Sequence, residues 1–170
     1  MDYEALTSNA ADVAFLQDFS PLTNERITSV PLYEEPVVLV ASPAHSMTRQ
    51  KSVYPEDLKH QSLLFPRSDY VQHPVLKNAL QASKLKPSDN LFLESGLLLR
   101  QAVKDRRCLA FLPLSSVKSE LEQHTLVQLP WAGEDISMTV YAMYDVHSMA
   151  LPAIESLITF VQSMIVESQA

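Results

Sequence analysis

The sequence predicts an α/β protein built on a largely parallel sheet, and three observations carry that expectation. Short apolar runs rich in branched residues alternate with amphipathic stretches of about ten residues, the pattern of successive βαβ units. Eleven prolines punctuate the chain, with Pro43, Pro55, Pro66, Pro74, Pro87, Pro113, Pro130 and Pro152 at segment boundaries, whereas only two glycines occur, Gly96 and Gly133. Over 170 residues, 46% hydrophobic against 19% charged content without a low-complexity run is the balance of one folded domain, or of two small lobes.

The elements follow in order. A short helix near 3–8 leads to a strand at 13–16 and then to a long extended run at 27–41. At 54–58 Pro55 opens a helical turn, with Glu56 and Asp57 where acids favour the helix dipole. Apolar residues place a strand at 62–65, and a helix over 74–83 starts on its own proline. The cycle repeats as a strand at 91–93, a helix over 96–104, a strand at 108–112 and a helix over 115–123. Positions 126–129 and 138–144 read as extended. The last helix, 151–166, gathers Ile154, Leu157, Ile158, Val161 and Ile165 on one face. In such sheets ligands settle beyond the carboxyl ends of the strands.

Several functions are excluded. Two isolated glycines cannot form a Walker loop or a G-x-G-x-x-G turn, which removes most nucleotide-dependent chemistry, and no cofactor is expected. The apolar runs at 37–41 and 108–112 are far short of the roughly 20 residues of a membrane span, and the acidic N-terminus lacks a basic signal-peptide region. A cytoplasmic protein without membrane contact is the expectation. The single cysteine, Cys108, excludes an internal disulfide and reads as a buried strand thiol. At net charge −7, the one basic cluster, Lys104, Arg106 and Arg107, is broken by Asp105 and is too short to track a phosphate backbone; it reads as a solvated helix cap. The five histidines, His45, His60, His73, His124 and His147, lack metal-ligand spacing, so no metal is expected.

Ser83 to Lys86 and Ser115 to Lys118 match the S-x-x-K of serine acyl-enzymes, and Ser88, Asp89 and Asn90 spell their S-D-N. The order is wrong for that chemistry and K-T-G is absent. Ser115, after Pro113, is instead the expected N-cap of its helix. Glu34 and Glu35 are neighbours on an extended run and point to opposite faces, so they form no dyad.

The most specific run, VPLYEEPVVLVASPAHS at 30–46, resembles the "pLyeEplvlv…P..HpL" segment of LysR-type transcriptional regulators. Upstream, ADVAF at 11–15 is similar to that family's "lDlai" strand, with Asp12 in place of its aspartate. Downstream, VYPEDL at 53–58 with LLFP at 63–66, Glu94-Ser95 before a helix, and LAFLP at 109–113 resemble further family segments in the right order. The chain departs from the family at 105–108, where Asp105, Arg106, Arg107 and Cys108 stand in place of Gly-x-Gly-Ile. Met1 aligns inside the family's effector domain, so the winged helix-turn-helix, the linker helix and the first strand, helix and second strand of that domain have no counterpart in this sequence.

The resemblance implies the family's C-terminal effector-binding domain: two Rossmann-like lobes joined by crossover strands, like a type 2 periplasmic binding protein, the first lobe incomplete. Lobe one would comprise 1–42 and 142–170 and lobe two 43–141. The implied function is to sense a small, anionic metabolite in the interlobe cleft for a DNA-binding regulator, without enzymatic activity and with DNA contact only through the winged helix-turn-helix. Carried over by position, the ligand-binding candidates are Ser42, Pro66, Arg67, Ser68, Ser95 and Leu114; no catalytic or metal-binding residue is implied. A serine hydroxyl at a helix N-terminus with a guanidinium suits an anion. With fewer strands in the first lobe, the strand at 13–16 would present an open edge, so a homodimer or larger species is expected. The alternatives are a stand-alone solute-binding protein and a small serine hydrolase using Ser115.

Overall fold

The computed structural model describes residues 2–20, 23–66, 73–82, 91–105 and 108–169. Helix α1 (Asp2–Thr7) precedes strands β1 (Val13–Asp18) and β2 (Ile27–Ala41). After two 3-10 turns, Ser46–Arg49 and Pro55–His60, come β3 (Ser62–Phe65), α2 (Pro74–Ala82), β4 (Leu91–Phe92), α3 (Gly96–Asp105), β5 (Cys108–Pro113) and α4 (Leu114–Glu122). The chain closes with β6 (Val127–Gln128), β7 (Ser137–Asp145) and α5 (Leu151–Gln169). Among the described residues no helix is long and apolar enough to cross a membrane.

Local chemistry sets the boundaries. The Pro55–His60 turn begins on proline, and the Tyr54 backbone N–H donates to Asp57 Oδ2 at 2.8 Å. Helices α1 and α4 end on left-handed residues, Asn9 at φ 57° and His124 at φ 55°, a conformation that closes the last turn onto its free carbonyls. For His124 this turn places the Thr125 N–H 2.9 Å from the Glu120 carbonyl.

The chain divides into two compact units, Met1–Glu35 with Met138–Ala170, and Pro36–Ser137. Both changes of unit occur within or at the start of a strand, earlier in each case than the limits expected at 42 and 142. Pairing explains the offset. Residues 37–41 of β2 lie against β5, from Val37 opposite Pro113 to Ala41 opposite Leu109, while β7 pairs with β1 from Thr139 opposite Asp18 onward.

In the Pro36–Ser137 unit the strand order is β2-β5-β3-β4, with β6 on β2. Strands β4, β3 and β5 are mutually parallel, whereas β2 runs antiparallel to β5 and to β6. Every residue of β5 is buried, as expected of a strand covered on both faces. One face carries Cys108, Ala110 and Leu112, which join Val38, Val40 and Leu64 under Leu99 and Val103 of α3 and Val117 of α4. On the other face Phe111 meets the Trp131 indole edge-on, with ring centroids 5.2 Å apart. Gly133 is required there because a Cβ would lie 2.3 Å from the Trp131 ring. The Trp131 N–H donates to the Glu134 carbonyl at 3.0 Å.

In the other unit β7 lies between β1 and β2, and β1 is antiparallel to β7. Leu6 of α1 packs with Ile27, Tyr141 and Met143 on one face of these strands. Ile154 and Ile158 of α5 pack with Ala142, Val13, Val30 and Leu32 on the other. Arg26 forms an ion pair with the buried Asp145 and donates to the Thr7 carbonyl at 2.9 Å, joining β2, β7 and the end of α1.

The sheet is therefore less parallel than the alternation of elements predicts. Among the described residues, parallel pairing joins β4, β3 and β5, the strands linked through helices, with one further parallel bridge between Val53 and Trp131; β2 and β7, the long connecting strands, run against their neighbours β5 and β1.

Candidate functional site

Because β3, β4 and β5 are parallel, their carboxyl ends share one edge of the Pro36–Ser137 unit, and the segments that follow start there together. Phe65 at the end of β3 lies opposite Phe92 at the end of β4, and the Leu93 N–H donates to the Phe65 carbonyl at 2.9 Å. Pro66 follows directly. Ser95 then caps α3: its carbonyl accepts from the Leu99 N–H at 2.9 Å and its Oγ from the Leu98 N–H at 3.4 Å. At the end of β5, Pro113 turns the chain into α4, whose first residue, Leu114, packs partly on the core beneath α3 and α4.

Three of the expected residues, Pro66, Ser95 and Leu114, thus stand at one edge, where α3 and α4 both begin. Helix N-termini carry unsatisfied amides and a partial positive charge, so two of them at one edge favour an anion. Arg67 and Ser68, also expected, lie outside the described residues.

Ser42 belongs elsewhere. Strand β2 is antiparallel to β5, so Ala41 pairs with Leu109 near the start of β5, and Ser42 extends beyond that end. A strand advances about 3.3 Å per residue, which separates Ser42 from the Pro113 end by roughly 16 Å. There it serves a loop: its carbonyl accepts from the His45 N–H at 2.9 Å and its Oγ from the Ala44 N–H at 3.4 Å. The β2 residues that do reach the site edge are Pro36 and Val37, and the Val37 N–H is bonded to the Ile136 carbonyl at 2.8 Å.

Arg100, not among the sequence candidates, lies near the same edge. Lying one turn after Gly96, its guanidinium reaches back to the start of α3, with Nη1 3.4 Å from where a Gly96 Cβ would stand. Its Nε is 3.2 Å from Glu120 Oε1, and Lys104 Nζ is 3.4 Å from the same oxygen. Burial opposes the charge on Glu120, but its own backbone N–H and the Lys104 and Arg100 cations hold the carboxyl below its usual range. The i,i+4 spacing from Gly96 to Arg100 was the available signal. Lys104, expected to be a solvated cap, is instead part of this ion cluster.

Leu97 and Leu98 on the first turn of α3 are largely exposed, as is part of Phe92. The edge therefore combines helix N-termini and a guanidinium with apolar surface. Ser115 is exposed on the first turn of α4, but the N-cap is Pro113, without a side-chain cap bond, and it is Ser116 whose hydroxyl bonds back to the Pro113 carbonyl at 2.7 Å. The expected Ser115 cap is corrected accordingly: the helix starts one residue earlier, at Leu114. Cys108 is buried, and its thiol donates to the Ala102 carbonyl at 3.4 Å. Among the described residues no group of histidine, cysteine and carboxylate side chains is placed to hold a metal ion.

Comparison with known proteins gives a consistent result. Residues 3–165 match the LysR substrate binding domain. The HTH-type transcriptional regulator MetR of Escherichia coli K12 is 28% identical over 154 residues, 91% of this chain and 47% of the relative, so the chain spans about half that protein's length. Among solved structures, the regulatory domain of MetR, a LysR family regulator from N. meningitidis, superposes with a TM-score of 0.69 at 19% identity, covering 96% of this chain and 74% of the other. The reduced form of OxyR from N. meningitidis gives 0.72 at 20% identity, covering 94% and 75%.

Proposed function

Because this chain belongs to the LysR substrate binding domain family, we propose that it is the effector-sensing part of a LysR-type DNA-binding transcriptional regulator. The observation that carries the ligand assignment is the parallel register of β3, β4 and β5, which gathers Pro66, Ser95, Leu114 and the starts of α3 and α4 at one edge, beside the Arg100 guanidinium. The ligand that suits this edge is a small carboxylate with an apolar body: the anion faces the helix N-termini and Arg100, and the body lies on Leu97, Leu98 and Phe92. Arg67 and Ser68, next along the chain from Pro66, belong to the same proposal.

In this reading DNA is contacted by a winged helix-turn-helix outside the sequence, the protein acts in the cytoplasm, and it is not an enzyme. The lobe assignment becomes Met1–Glu35 with Met138–Ala170 as lobe one and Pro36–Ser137 as lobe two. Self-association as a homodimer or larger species is part of the proposal, supported by the position of β1 at the end of the strand order.

The test is thermal unfolding of the chain against a panel of small aliphatic and aromatic carboxylates, each paired with its amide at matched ionic strength. A carboxylate at a hundred times its Kd stabilises by about 2.7 kcal/mol, and the midpoint should rise for the acid and not for the amide. Arg100→Met should weaken that ligand about tenfold or more, since hydrogen bonds to charged groups contribute about 1.5–3 kcal/mol, while Ser42→Ala should leave it unchanged. A panel in which no acid raises the midpoint, or a response lost in Ser42→Ala and kept in Arg100→Met, rejects the site.

A further inference from the structure

A cavity of about 330 Å³ opens at the end of the Pro36–Ser137 sheet opposite the carboxyl ends of β3, β4 and β5. Its walls come from the loop that follows β2 at Ala41 and from Gln61, which immediately precedes β3. The pairing puts both at one end: Ala41 lies opposite Leu109 and Ser62 opposite Cys108, at the start of β5. Every residue that lines the cavity belongs to the Pro36–Ser137 unit. No carboxylate is among them. The chain carries −7 overall, yet the segments 42–52 and 58–66, which build this end, hold Arg49, Lys51 and Lys59 and not one aspartate or glutamate. A local excess of cations on an acidic chain concentrates anions there.

We propose that this cavity is an oxyanion site that takes a phosphate group, held by the Arg49 guanidinium with the Ser46 hydroxyl and the Gln61 carboxamide. It is separate from the carboxylate edge proposed above, which lies at the other end of the same strands, roughly 16 Å away at 3.3 Å per residue.

Three properties select that ligand. The first is the balance of donors and acceptors. His45 is 5% exposed, and its Nδ1 accepts from the Met47 N–H at 3.3 Å, so the ring keeps its hydrogen on Nε2 and has no lone pair to offer. The His45 carbonyl is occupied as well, by the Thr48 N–H at 3.2 Å and the Thr48 hydroxyl at 2.7 Å. The side chains of Arg49, Ser46 and Gln61, by contrast, make no ion pair or hydrogen bond among the described residues. A guanidinium alone brings five N–H donors in a planar fork that matches phosphate oxygens two at a time. The second is the scarcity of apolar surface. Pro43 and Ala44 are the only apolar residues in the lining, whereas the carboxylate edge offers Leu97, Leu98 and Phe92. An anion rich in oxygen and poor in hydrocarbon suits the first, and a carboxylate with an apolar body the second. The third is size. A volume of about 330 Å³ stands at the lower limit of small-molecule cavities, roughly 300–1,000 Å³, and admits inorganic phosphate with part of its water or a short phosphate monoester.

The experiment is phosphorus-31 NMR of inorganic phosphate titrated with the chain, chloride making up a constant ionic strength, in wild type, Arg49→Met, Arg49→Lys and Arg100→Met. Wild type should broaden the resonance saturably. Arg49→Met should weaken binding at least about tenfold, as the loss of charge-assisted hydrogen bonds predicts, with circular dichroism unchanged because Arg49 is exposed. Arg49→Lys should fall between the two, since it keeps the charge and loses the fork. Arg100→Met should bind phosphate as wild type does. Competition with glycerol 3-phosphate separates the two sources of the group: displacement at lower concentration than phosphate itself assigns the cavity to a monoester, and equal or weaker displacement assigns it to the free ion. Broadening that does not saturate, that is the same in Arg49→Met, or that is lost in Arg100→Met overturns the site. The carboxylate edge stands or falls separately, by the response of Arg100→Met to the panel of acids.

Discussion

Helices α3 and α4 of the Pro36–Ser137 unit and helix α5 of the other unit bury similar apolar seams and finish their remaining surfaces in opposite ways. Leu99, Val103 and Val117 go into the core, and between α3 and α4 the Arg100–Glu120–Lys104 cluster closes the surface with charge. On α5, Ile154 and Ile158 go into the core, and the neighbouring flank offers Leu157, Phe160 and Met164 to solvent. In the charged cluster Nε of Arg100 is turned to Glu120 while Nη1 reaches toward Gly96 and the proposed ligand edge, whereas the apolar seam on α5 gains free energy only when something covers it. The unit that contains α5 thus displays apolar surface at Leu157, Phe160 and Met164, and the Pro36–Ser137 unit carries its exposed leucines, Leu97 and Leu98, on the turn that borders the proposed ligand edge.

The comparison breaks most sharply at two phenylalanines. Phe111→Ala should cost about 3–5 kcal/mol in urea unfolding, since it empties the fully buried centre of β5, whereas Phe160→Ala, assayed dilute, should stay within about 0.5 kcal/mol of wild type. Comparable losses from both would mean that the α5 flank is already covered within the chain. Next in size, Gly133→Ala should cost about 1–3 kcal/mol by pushing the Trp131 indole off Phe111; an unchanged midpoint would show that the ring has room to shift.

Asp145 probes the first unit through pH. The His147 backbone N–H lowers its carboxyl pKa most, against the effect of burial, and the Arg26 guanidinium lowers it further. A folded pKa below the unfolded one means stability that is present above the carboxylate range and lost as pH falls through it. The stability gap between wild type and Asp145→Asn should therefore be open at pH 7 and narrow below about pH 4, near the ordinary aspartate pKa. A gap that does not change with pH would reduce this ion pair to a steric role.

Smaller again, His124→Gly should stabilise by about 1 kcal/mol, because glycine adopts the left-handed end of α4 without the Cβ penalty. Lys104→Met should cost less than about 1 kcal/mol, and less still at high salt, as expected of a partly exposed pair.

Local signals were legible in the chain. The run from β3 to α4 follows the predicted alternation closely, with Pro66 after β3, Ser95 capping α3 and Pro113 turning β5 into α4; the burial of Cys108 is legible in its apolar run, and the Ile154–Ile158 core contact in the helical period. What local patterns do not encode is direction. Nothing within 27–41 states that this strand enters the second unit against β5, so the sequence alone groups Ser42 with residues that stand at the opposite end of the sheet. The sequence pattern also puts Leu157 on the core face of α5, because it is apolar and one turn from Ile154 and Val161, but it points about 100° away from Ile158, and the strands beneath are covered by Ile154 and Ile158. The placement of Arg100 is not legible locally, because it depends on a side chain folding back toward Gly96 and on Glu120, which belongs to another helix.

Trp131 gives the molecule a private optical channel. It is the only tryptophan in the chain, it is half-buried, and its indole is fixed by Phe111 on one side and by the Glu134 carbonyl at its N–H. Its emission therefore reports the loosening of the Pro36–Ser137 unit alone, while far-ultraviolet ellipticity, weighted by the long α5, reports the other unit as well. Coincidence of the two unfolding curves would mark a single cooperative transition, and an ellipticity change at lower denaturant than the emission change would separate the two units without a label.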